Sequence, residues 1–260
     1  MRPAAVAALL LALCRPALAV PPLVAGDVPT ADKGYLELYA GARYEDGAGG
    51  VERQIPANEL VYGLSSRQEL TFELPYLSLT PSQGPAARGF GDATVGTKLL
   101  IRRETPRLPG LAVSFEAKLD NAARPRGLGS GAVDYGVRLR AQKTWGWFTG
   151  MWNAERTIVG EPEVDGVRQE KRDIWFGAFA QQYAVAKRAA LLSEIYWRNK
   201  DAPGEANRLG ATMGFKFDAT PHLQLHGSVG KSLRDGNIGG PHLRVYAGVK
   251  LEFALIGGRH

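Results

Sequence analysis

The sequence predicts an all-β protein, a twelve-stranded antiparallel transmembrane β-barrel with up-and-down connections. Three observations predict this fold class: an export signal at the N-terminus, twelve stretches of alternating polarity, and connections that alternate between short and long. The clearest strand covers residues 243–253, whose odd-numbered residues are apolar and whose even-numbered residues include Arg244, Lys250 and Glu252. Such alternation gives a strand one apolar and one charged face, and about eleven residues are enough for a tilted strand to cross a bilayer.

Residues 1–19 have the pattern of a signal peptide. Arg2 supplies the basic start, an apolar stretch follows, and Ala-Leu-Ala at 17–19 is a small-residue cleavage site. The apolar stretch is too short to span a membrane as a helix. The mature chain is therefore expected to begin at Val20. It contains no cysteine, because Cys14 is the only one in the sequence.

Charge and composition exclude several other classes. Removal of the signal lowers the formal net charge from +6 to +4, since the signal carries two arginines and no acid, and this is too mild to indicate nucleic-acid binding. No later apolar run reaches the length of a membrane helix. Glycine is abundant, at 32 of 260 residues, without a collagen or linker repeat. These properties are typical of an outer-membrane barrel, for which no cofactor is expected.

The barrel is predicted to cover residues 34–253, after a Pro-containing, unpatterned segment at 20–33 that we expect to form a loose periplasmic tail. The twelve predicted strands cover residues 35–44, 51–63, 68–79, 90–102, 111–119, 131–142, 147–157, 173–183, 188–198, 207–217, 223–233 and 243–253. Pro56 disturbs the second strand and indicates a bulge or a loop end, because proline cannot donate to the ladder. The seventh strand is aromatic and less regular, and the eighth has the weakest pattern. Residues 254–260 are expected to form a C-terminal extension beyond the last strand.

The connections alternate in length along the chain. About four residues join strands two and three, six and seven, and eight and nine, whereas ten or more join three and four, five and six, and seven and eight. Transmembrane barrels have short periplasmic turns and long outer loops. An even strand count then places both termini in the periplasm. The apolar face must point outward, because lipid is the solvent there, and the sheet must close to pair its backbone groups.

Four tryptophans lie near the ends of predicted strands: Trp145, Trp147, Trp175 and Trp197. Aromatic side chains at these positions indicate girdles at the two membrane interfaces. The alternative is ordinary packing in a core.

Several short motifs resemble a known family. Residues 89–98 read GFGDATVGTK, in which Gly-Phe-Gly-Asp precedes a small-residue strand ending in lysine. Supporting pieces are YGLSSRQEL at 62–70, LPY at 74–76 and LGSG at 128–131, with Asp-Tyr at 134–135. In these motifs the chain resembles the outer-membrane proteins grouped as the "Putative MetA-pathway of phenol degradation" family, most closely over strands two to six. The resemblance implies a small outer-membrane barrel of a kind supposed to pass aromatic or other hydrophobic compounds.

The inward face of the predicted barrel carries both signs of charge, and its side chains are the candidate lining of a transport lumen. They are Glu37, Arg43, Glu69, Glu73, Asp92, Lys98, Glu116, Lys118, Asp134, Arg138, Arg140, Glu194, Arg198, Arg208, Lys216, His226, Arg244, Lys250 and Glu252. One interpretation is a narrow polar pore whose transverse field orients a small polar or anionic solute. The other is a ladder of ion pairs that fills the lumen, because buried charges need partners. The sequence leaves both open.

An enzymatic alternative comes from His226 and Ser228, which lie two residues apart on the inward face of the eleventh strand. This spacing is similar to that of the outer-membrane phospholipase, also a twelve-stranded barrel, and a base beside a hydroxyl is the minimum for an activated nucleophile. That enzyme orients its histidine with an amide or acid, whereas the final strand here offers Arg244 and Tyr246. A polar pair in the lumen is the favoured interpretation, and no catalytic residue is predicted. The four histidines lack metal-ligand spacing, so no metal site is expected.

We therefore expect a monomeric outer-membrane barrel that passes small solutes passively, with aromatic or hydrophobic compounds as candidates. A closed structural barrel without transport is the first alternative, and an outer-membrane lipolytic enzyme is a distant one. The expected partners are outer-membrane lipid, the barrel-assembly machinery during biogenesis and a small-molecule solute. Nucleic acid is not expected among them.

Overall fold

The computed structural model describes residues 22–164, 167–199, 207–234 and 241–255. The predicted signal peptide at 1–19 lies outside these residues, as does most of the predicted C-terminal extension. In the part of the chain that is described, no helix is long and apolar enough to cross a membrane.

The described residues form sixteen β-strands and one short 3₁₀ helix. The strands are β1 (Tyr35–Gly47), β2 (Gly50–Ser65), β3 (Gln68–Glu73), β4 (Tyr76–Pro81), β5 (Ala87–Phe90), β6 (Thr94–Arg102), β7 (Gly110–Lys118), β8 (Asp134–Trp145), β9 (Phe148–Ile158), β10 (Glu163–Val164), β11 (Val167–Arg168), β12 (Ile174–Ala186), β13 (Ala189–Arg198), β14 (Arg208–Thr220), β15 (Leu223–Arg234) and β16 (Pro241–Ala254). The 3₁₀ helix, Arg124–Arg126, lies between β7 and β8.

Twelve strand units build the barrel wall, which confirms the predicted fold class. The chain of β3 continues into β4, and that of β5 into β6, across short interruptions, while β10 and β11 form a separate hairpin in the loop between β9 and β12. Neighbouring strands are antiparallel. The sheet closes because β1 pairs with β16 as well as with β2, from Tyr35 opposite Ala254 to Gly47 opposite Pro241. Closure gives hydrogen-bond partners to backbone groups of the first and last strands, which lipid cannot provide.

At the end of the barrel that carries the long loops, named the outer end after the predicted orientation, the fourth unit is held differently from the rest of the wall. In the described sheet β5 pairs with β4 alone. The loop between β7 and β8 lies against its other edge, where the guanidinium of Arg126 donates a hydrogen bond to the carbonyl oxygen of Arg88 at 2.7 Å. This contact satisfies one backbone group of an edge strand that would otherwise face lipid or water.

The strand irregularities have local causes. Around Pro56 the register shifts, because Gly41 faces Ala57 whereas Arg43 faces Gln54, and this confirms the predicted bulge. The sixth predicted strand was expected to start at residue 131, but Gly131 has a left-handed φ of 75° and β8 begins at Asp134. The eighth predicted strand, despite its weak pattern, is the regular β12.

The outward face of the barrel is a wall of exposed apolar side chains. Phe72, Phe115, Leu139, Ile195 and Met213 are among them. The four tryptophans near the strand ends are also exposed, by between 41% and 65%, so packing in a core is the wrong interpretation for them. Two lie at the β8–β9 turn and two near the opposite end of β12 and β13, which gives the wall an aromatic group at each end.

The segment before β1 lies inside the barrel. Residues 22–31, which we expected to form a loose periplasmic tail, instead run across the inner wall, and Leu23, Ala25, Val28 and Ala31 are buried. Leu23 and Ala25 pack with inward side chains of the wall, and Val28 packs with others. The segment has no sequence periodicity because it belongs to no strand. Its order comes from contacts with the wall, which its own sequence does not encode.

Candidate translocation lumen

The structure places every predicted lumen residue in a buried or half-buried position inside the barrel. The buried ones are Glu69, Lys98, Lys118, Asp134, Arg138, Arg140, Glu194 and His226. The half-buried ones are Glu37, Arg43, Glu73, Asp92, Glu116, Arg198, Arg208, Lys216, Arg244, Lys250 and Glu252. Their opposite faces carry the exposed apolar wall, so the strand alternation sorts charges inward as expected. The structure divides these charges into distinct clusters.

The outer cluster fastens the loop between β7 and β8. The ammonium of Lys118 lies 3.0 Å from a carboxylate oxygen of Asp134 and 3.5 Å from one of Asp92. Asp92 also accepts hydrogen bonds from the backbone amides of Ala122 at 3.0 Å and Ser130 at 2.7 Å. Asp134 accepts another from the amide of Gly160 at 2.9 Å. One buried lysine and two acids therefore hold two outer loops to the barrel wall.

The Gly-Phe-Gly-Asp and Leu-Gly-Ser-Gly motifs meet in this cluster, where the aspartate of the first binds the loop that contains the second. A side chain at Gly129 would place its Cβ 2.6 Å from Asp92 Oδ1, so glycine is needed for the loop to approach the acid. The neighbouring Leu128 is buried against Leu79 and Ala87, with Leu77 partly buried beside them. The loop is thus packed against β4 and β5 by apolar side chains as well as held by the charged cluster.

The middle of the lumen is crossed by a buried arginine–glutamate pair. The Nε of Arg138 lies 2.5 Å from Glu155 Oε2, and both side chains are almost fully buried. Glu155 also accepts a hydrogen bond from the hydroxyl of Thr157 at 2.8 Å. On the same strand as Arg138, Arg140 lies 3.9 Å from Glu116 and donates to the carbonyl oxygen of Asp27 at 3.3 Å. Such pairs persist in low dielectric only with further hydrogen bonds, which are present here.

One part of the N-terminal segment is held by β3 and β6. The ammonium of Lys98 lies 2.9 Å from Glu69 and 3.5 Å from Asp27. Glu69 in turn accepts a hydrogen bond from the backbone amide of Ala31 at 2.7 Å. At the base of the segment, the amide of Gly34 donates to the carbonyl oxygen of Gly63 at 2.8 Å. These contacts link two buried wall charges to the backbone of the segment.

The other part of the segment is held by the opposite wall. Glu194 accepts hydrogen bonds from the backbone amides of Val24 and Ala25 at 2.8–2.9 Å. The side-chain amide of Asn153 pairs with the backbone of Gly26 in both directions, at 3.0 and 2.9 Å. Further on, the Ser228 hydroxyl donates to the carbonyl oxygen of residue 22 at 2.6 Å. Wall side chains thus satisfy backbone groups of a segment that has no strand partner.

A last set of charges lies along the seam between β1 and β16. Arg244 pairs with Glu45 at 2.7 Å, and Lys250 lies 3.4 Å from Glu37 and also contacts Glu252. At the end of the barrel that carries the short turns, Glu104 in the turn after β6 accepts from Lys143 at 3.0 Å and from the amide of Thr144 at 2.7 Å. Burial tends to raise the pKa of Glu104, but these hydrogen bonds and the lysine charge outweigh it and lower the pKa.

The histidine and serine that suggested an enzyme each bond to a different partner. The Nε2 of His226 lies 3.0 Å from the hydroxyl of Tyr246, and its ring stacks between Tyr246 and Tyr39. The Ser228 hydroxyl donates to the N-terminal segment instead. This geometry does not activate a nucleophile, which needs the base within reach of the hydroxyl proton. Among the described residues, no group of His, Cys, Asp or Glu is arranged to hold a metal ion.

Several residues of the lumen were not predicted. Asn153, Glu155 and Thr157 alternate along β9 and all face inward, but the outward positions between them are Ala154 and the charged Arg156, so the strand lacks a clear apolar face there. Glu59 on β2 was missed because the bulge at Pro56 changes the strand's inward parity. The alternation is regular at the C-terminal end of β2, and following it back two residues at a time places Glu59 on the inward face.

A closed barrel with an apolar outer wall and a charged, partly occupied interior defines the class: a transmembrane β-barrel of the outer-membrane type. The chain belongs to the family described as "Putative MetA-pathway of phenol degradation", whose pattern matches residues 61–249. The match covers most of the barrel, and it includes the aspartate and the serine of the outer cluster.

Solved structures show the same fold. The COG4313 outer membrane channel from Pseudomonas putida F1 is similar with a TM-score of 0.73 and 17% identity, over 90% of this chain and 100% of that one. The NanC porin gives 0.60 and 10% identity, over 83% and 98%. The KdgM porin, solved in complex with disordered oligogalacturonate, gives 0.55 and 11% identity, over 84% and 99%. No curated protein sequence matches this chain.

Proposed function

We propose that the protein is a monomeric outer-membrane channel that passes small solutes passively through the barrel interior. The observation that carries this proposal is the lining of buried charges and hydrogen-bonding groups inside an apolar wall. A lining of this kind offers a polar route across a membrane. Lipid contacts the exposed apolar wall, and the predicted signal peptide would deliver the chain to the machinery that assembles such barrels.

The route that we propose is narrow, because the N-terminal segment shares the lumen. Its backbone is bonded to Glu69 on one side and to Glu194 and Asn153 on the other. Passing solutes must go around the segment or displace it. The proposal is therefore restricted to small molecules.

Aromatic or hydrophobic compounds are the solutes that we propose. Arg140 also lines the lumen, and because its nearest acid, Glu116, lies 3.9 Å away, it would attract a carboxylate on an aromatic ring. The family description, which names phenol degradation, supports the same class.

The competing function is a closed structural barrel without transport. The pairing of Arg138 with Glu155, and of Lys98 with Glu69, favours it, because paired charges can fill a lumen as a static ladder. In that case the segment would be part of the packed interior.

Single-channel recording separates the two functions. The refolded mature protein is placed in a planar bilayer, with and without benzoate as an aromatic acid. Steady openings that benzoate blocks would support a channel with an internal site for such solutes. A silent barrel, shown to be folded by its heat-modifiable migration on gels, would favour the structural alternative. A matched Arg140→Gln variant should conduct ions but lose the benzoate block, because it removes the positive charge that would attract the carboxylate.

A further inference from the structure

Asp27, in the N-terminal segment, lies inside the lumen among positive charges from opposite walls. Its carboxylate is 3.5 Å from the ammonium of Lys98 on β6. The charges of Lys216, Arg140 and Lys250 act on it at longer range. The strands β6 and β14, which carry Lys98 and Lys216, belong to the fourth and tenth of the twelve wall units, so they face each other across the barrel. One carboxylate of the segment therefore lies in a field made by cations of both walls.

Asp27 does not fully satisfy the cations around it. Its 3.5 Å contact with Lys98 is longer than a charged hydrogen bond, which is about 2.7–2.9 Å. Arg140 is 6% exposed, yet its Nε has no hydrogen-bond partner, and its nearest acid, Glu116, lies 3.9 Å away. Among the described residues Lys216 forms no ion pair. Because buried donors are nearly always hydrogen-bonded, these groups point to a further anion in the lumen.

A small cavity beside Arg140 supplies the second observation. Its volume is about 30 Å³, which is enough for a small polar group, and its lining includes Arg140, Lys98 and Ser114. Ser114 is 3% exposed, and its hydroxyl also lacks a hydrogen-bond partner. In the ladder Ser114 lies directly between Lys98 and Arg138. A carboxylate oxygen in this cavity would accept hydrogen bonds from the hydroxyl of Ser114 and from Nε of Arg140.

The acids that line the same cavity leave this position to a ligand. Glu69 is already bound by Lys98 at 2.9 Å. Glu59 and Glu73 face each other at the level of Thr94, which is four residues along β6 from Lys98. Four residues of a strand span about 13 Å, so these two glutamates act on a different part of the route. The cations therefore cluster at one level of the lumen, and this pair of acids lies at another.

We propose that the cations around Asp27 form a binding site, the anion site, for the carboxylate of a passing solute. The site consists of Lys98, Ser114, Arg140 and Lys216. Asp27 occupies it as an internal competitor, because it carries the same group, and its side chain is 39% exposed and can be exchanged. A solute that displaces Asp27 would also loosen the segment that narrows the lumen. The inference deepens the proposed channel function and rests on it.

Binding to the anion site is measured without conduction, by fluorine NMR of para-fluorobenzoate added to the folded mature protein in detergent micelles. Wild type should bind this acid and not para-fluorobenzamide, which has a similar shape without the charge. Asp27→Asn should tighten binding about tenfold, because it removes the competitor, and Lys216→Gln should weaken it about tenfold, as expected for one charged interaction. Asp32→Asn, which removes the same group from an exposed position of the same segment, should bind as wild type does.

Equal binding by Asp27→Asn and Asp32→Asn would overturn the proposal, and so would equal binding of the acid and the amide by wild type. If Lys216→Gln fails to fold, Ser114→Ala gives the same test, because it removes a donor without changing the charge. A barrel that shows the expected binding but never conducts would keep the anion site and refute the channel. A barrel that conducts but binds no para-fluorobenzoate would keep the channel and refute the anion site.

Discussion

At the residue scale, the pair of Arg138 and Glu155 shows why this interior needs both partners. Each side chain is almost fully buried, so each charge has lost its water and depends on the other. Sequence alternation places Arg138 inside, as expected, but cannot identify its partner. The partner lies on the adjacent strand directly opposite, and that register is a property of the folded sheet.

The substitution Arg138→Met should lower the free energy of unfolding by about 3–5 kcal/mol, because it leaves Glu155 buried without a counter-charge. The double variant Arg138→Met/Glu155→Leu should recover most of that loss. Urea titration of each variant folded in lipid vesicles, followed by tryptophan fluorescence, measures the free energy of unfolding of both variants. Additive losses in the double variant would mean that the two charges do not depend on each other.

Asp92 is the residue that connects the family motif to structure. The substitution Asp92→Ala removes the acceptor for Lys118 and for the loop amides of Ala122 and Ser130. The loop between β7 and β8 should then open, and trypsin should cleave it at least about tenfold faster, as expected from a loss of more than roughly 1.4 kcal/mol of local stability. Gel analysis of timed digests of the folded barrel measures the rate.

Asp173→Asn is the matched control for Asp92→Ala. Asp173 forms an ion pair with Arg156 at the same end of the barrel, but that pair is largely exposed. Exposed pairs contribute about 0–1 kcal/mol, so the digestion rate should change little. Equal effects of the two substitutions would show that the outer cluster does not fasten the loop.

At the element scale, the sequence predicts the strands of the wall but not the path of the N-terminal segment. Alternation and the glycine-rich turns predict the strands, because a sheet in lipid must be apolar on one face and closed. The segment has no such requirement. Wall residues such as Glu194 and Asn153 determine its path, and their partners are backbone atoms that carry no sequence signature.

Gly63 on β2 lies directly against the backbone of the N-terminal segment at Asp32. A Cβ there would lie 2.0 Å from the carbonyl oxygen of Asp32, so Gly63→Val should push the segment off the wall. A Val28→Cys reporter measures this, since the mature chain has no other cysteine. A water-soluble maleimide should label it slowly in the parent protein and several-fold faster with Gly63→Val.

The control for this prediction is Gly177→Val, because a Cβ at Gly177 meets nothing within 4 Å. Its labelling rate should match that of the parent. Labelling that is already fast in the parent would contradict the buried position of Val28.

At the scale of the whole molecule, the strand number, the closed sheet and the inward sorting of charge could all be predicted, and the contents of the lumen could not. The strand features follow from the membrane, because every strand must be apolar on the lipid-facing side. The contents of the lumen depend on which of many inward charges meet, and on an N-terminal segment that was expected to lie outside the barrel. The channel that we propose would therefore be narrowed by a short stretch of its own chain.

The most direct test of whether the N-terminal segment restricts the lumen is to compare the single-channel conductance of the mature protein with that of a variant lacking residues 20–31. If the segment restricts a polar route, its removal should raise conductance several-fold and leave the barrel folded, because the wall strands pair without it. A Glu194→Gln/Asn153→Leu variant, which keeps the segment but loosens its bonds, should give flickering between the two levels. Equal conductance with and without the segment, or silence in both, would contradict the account.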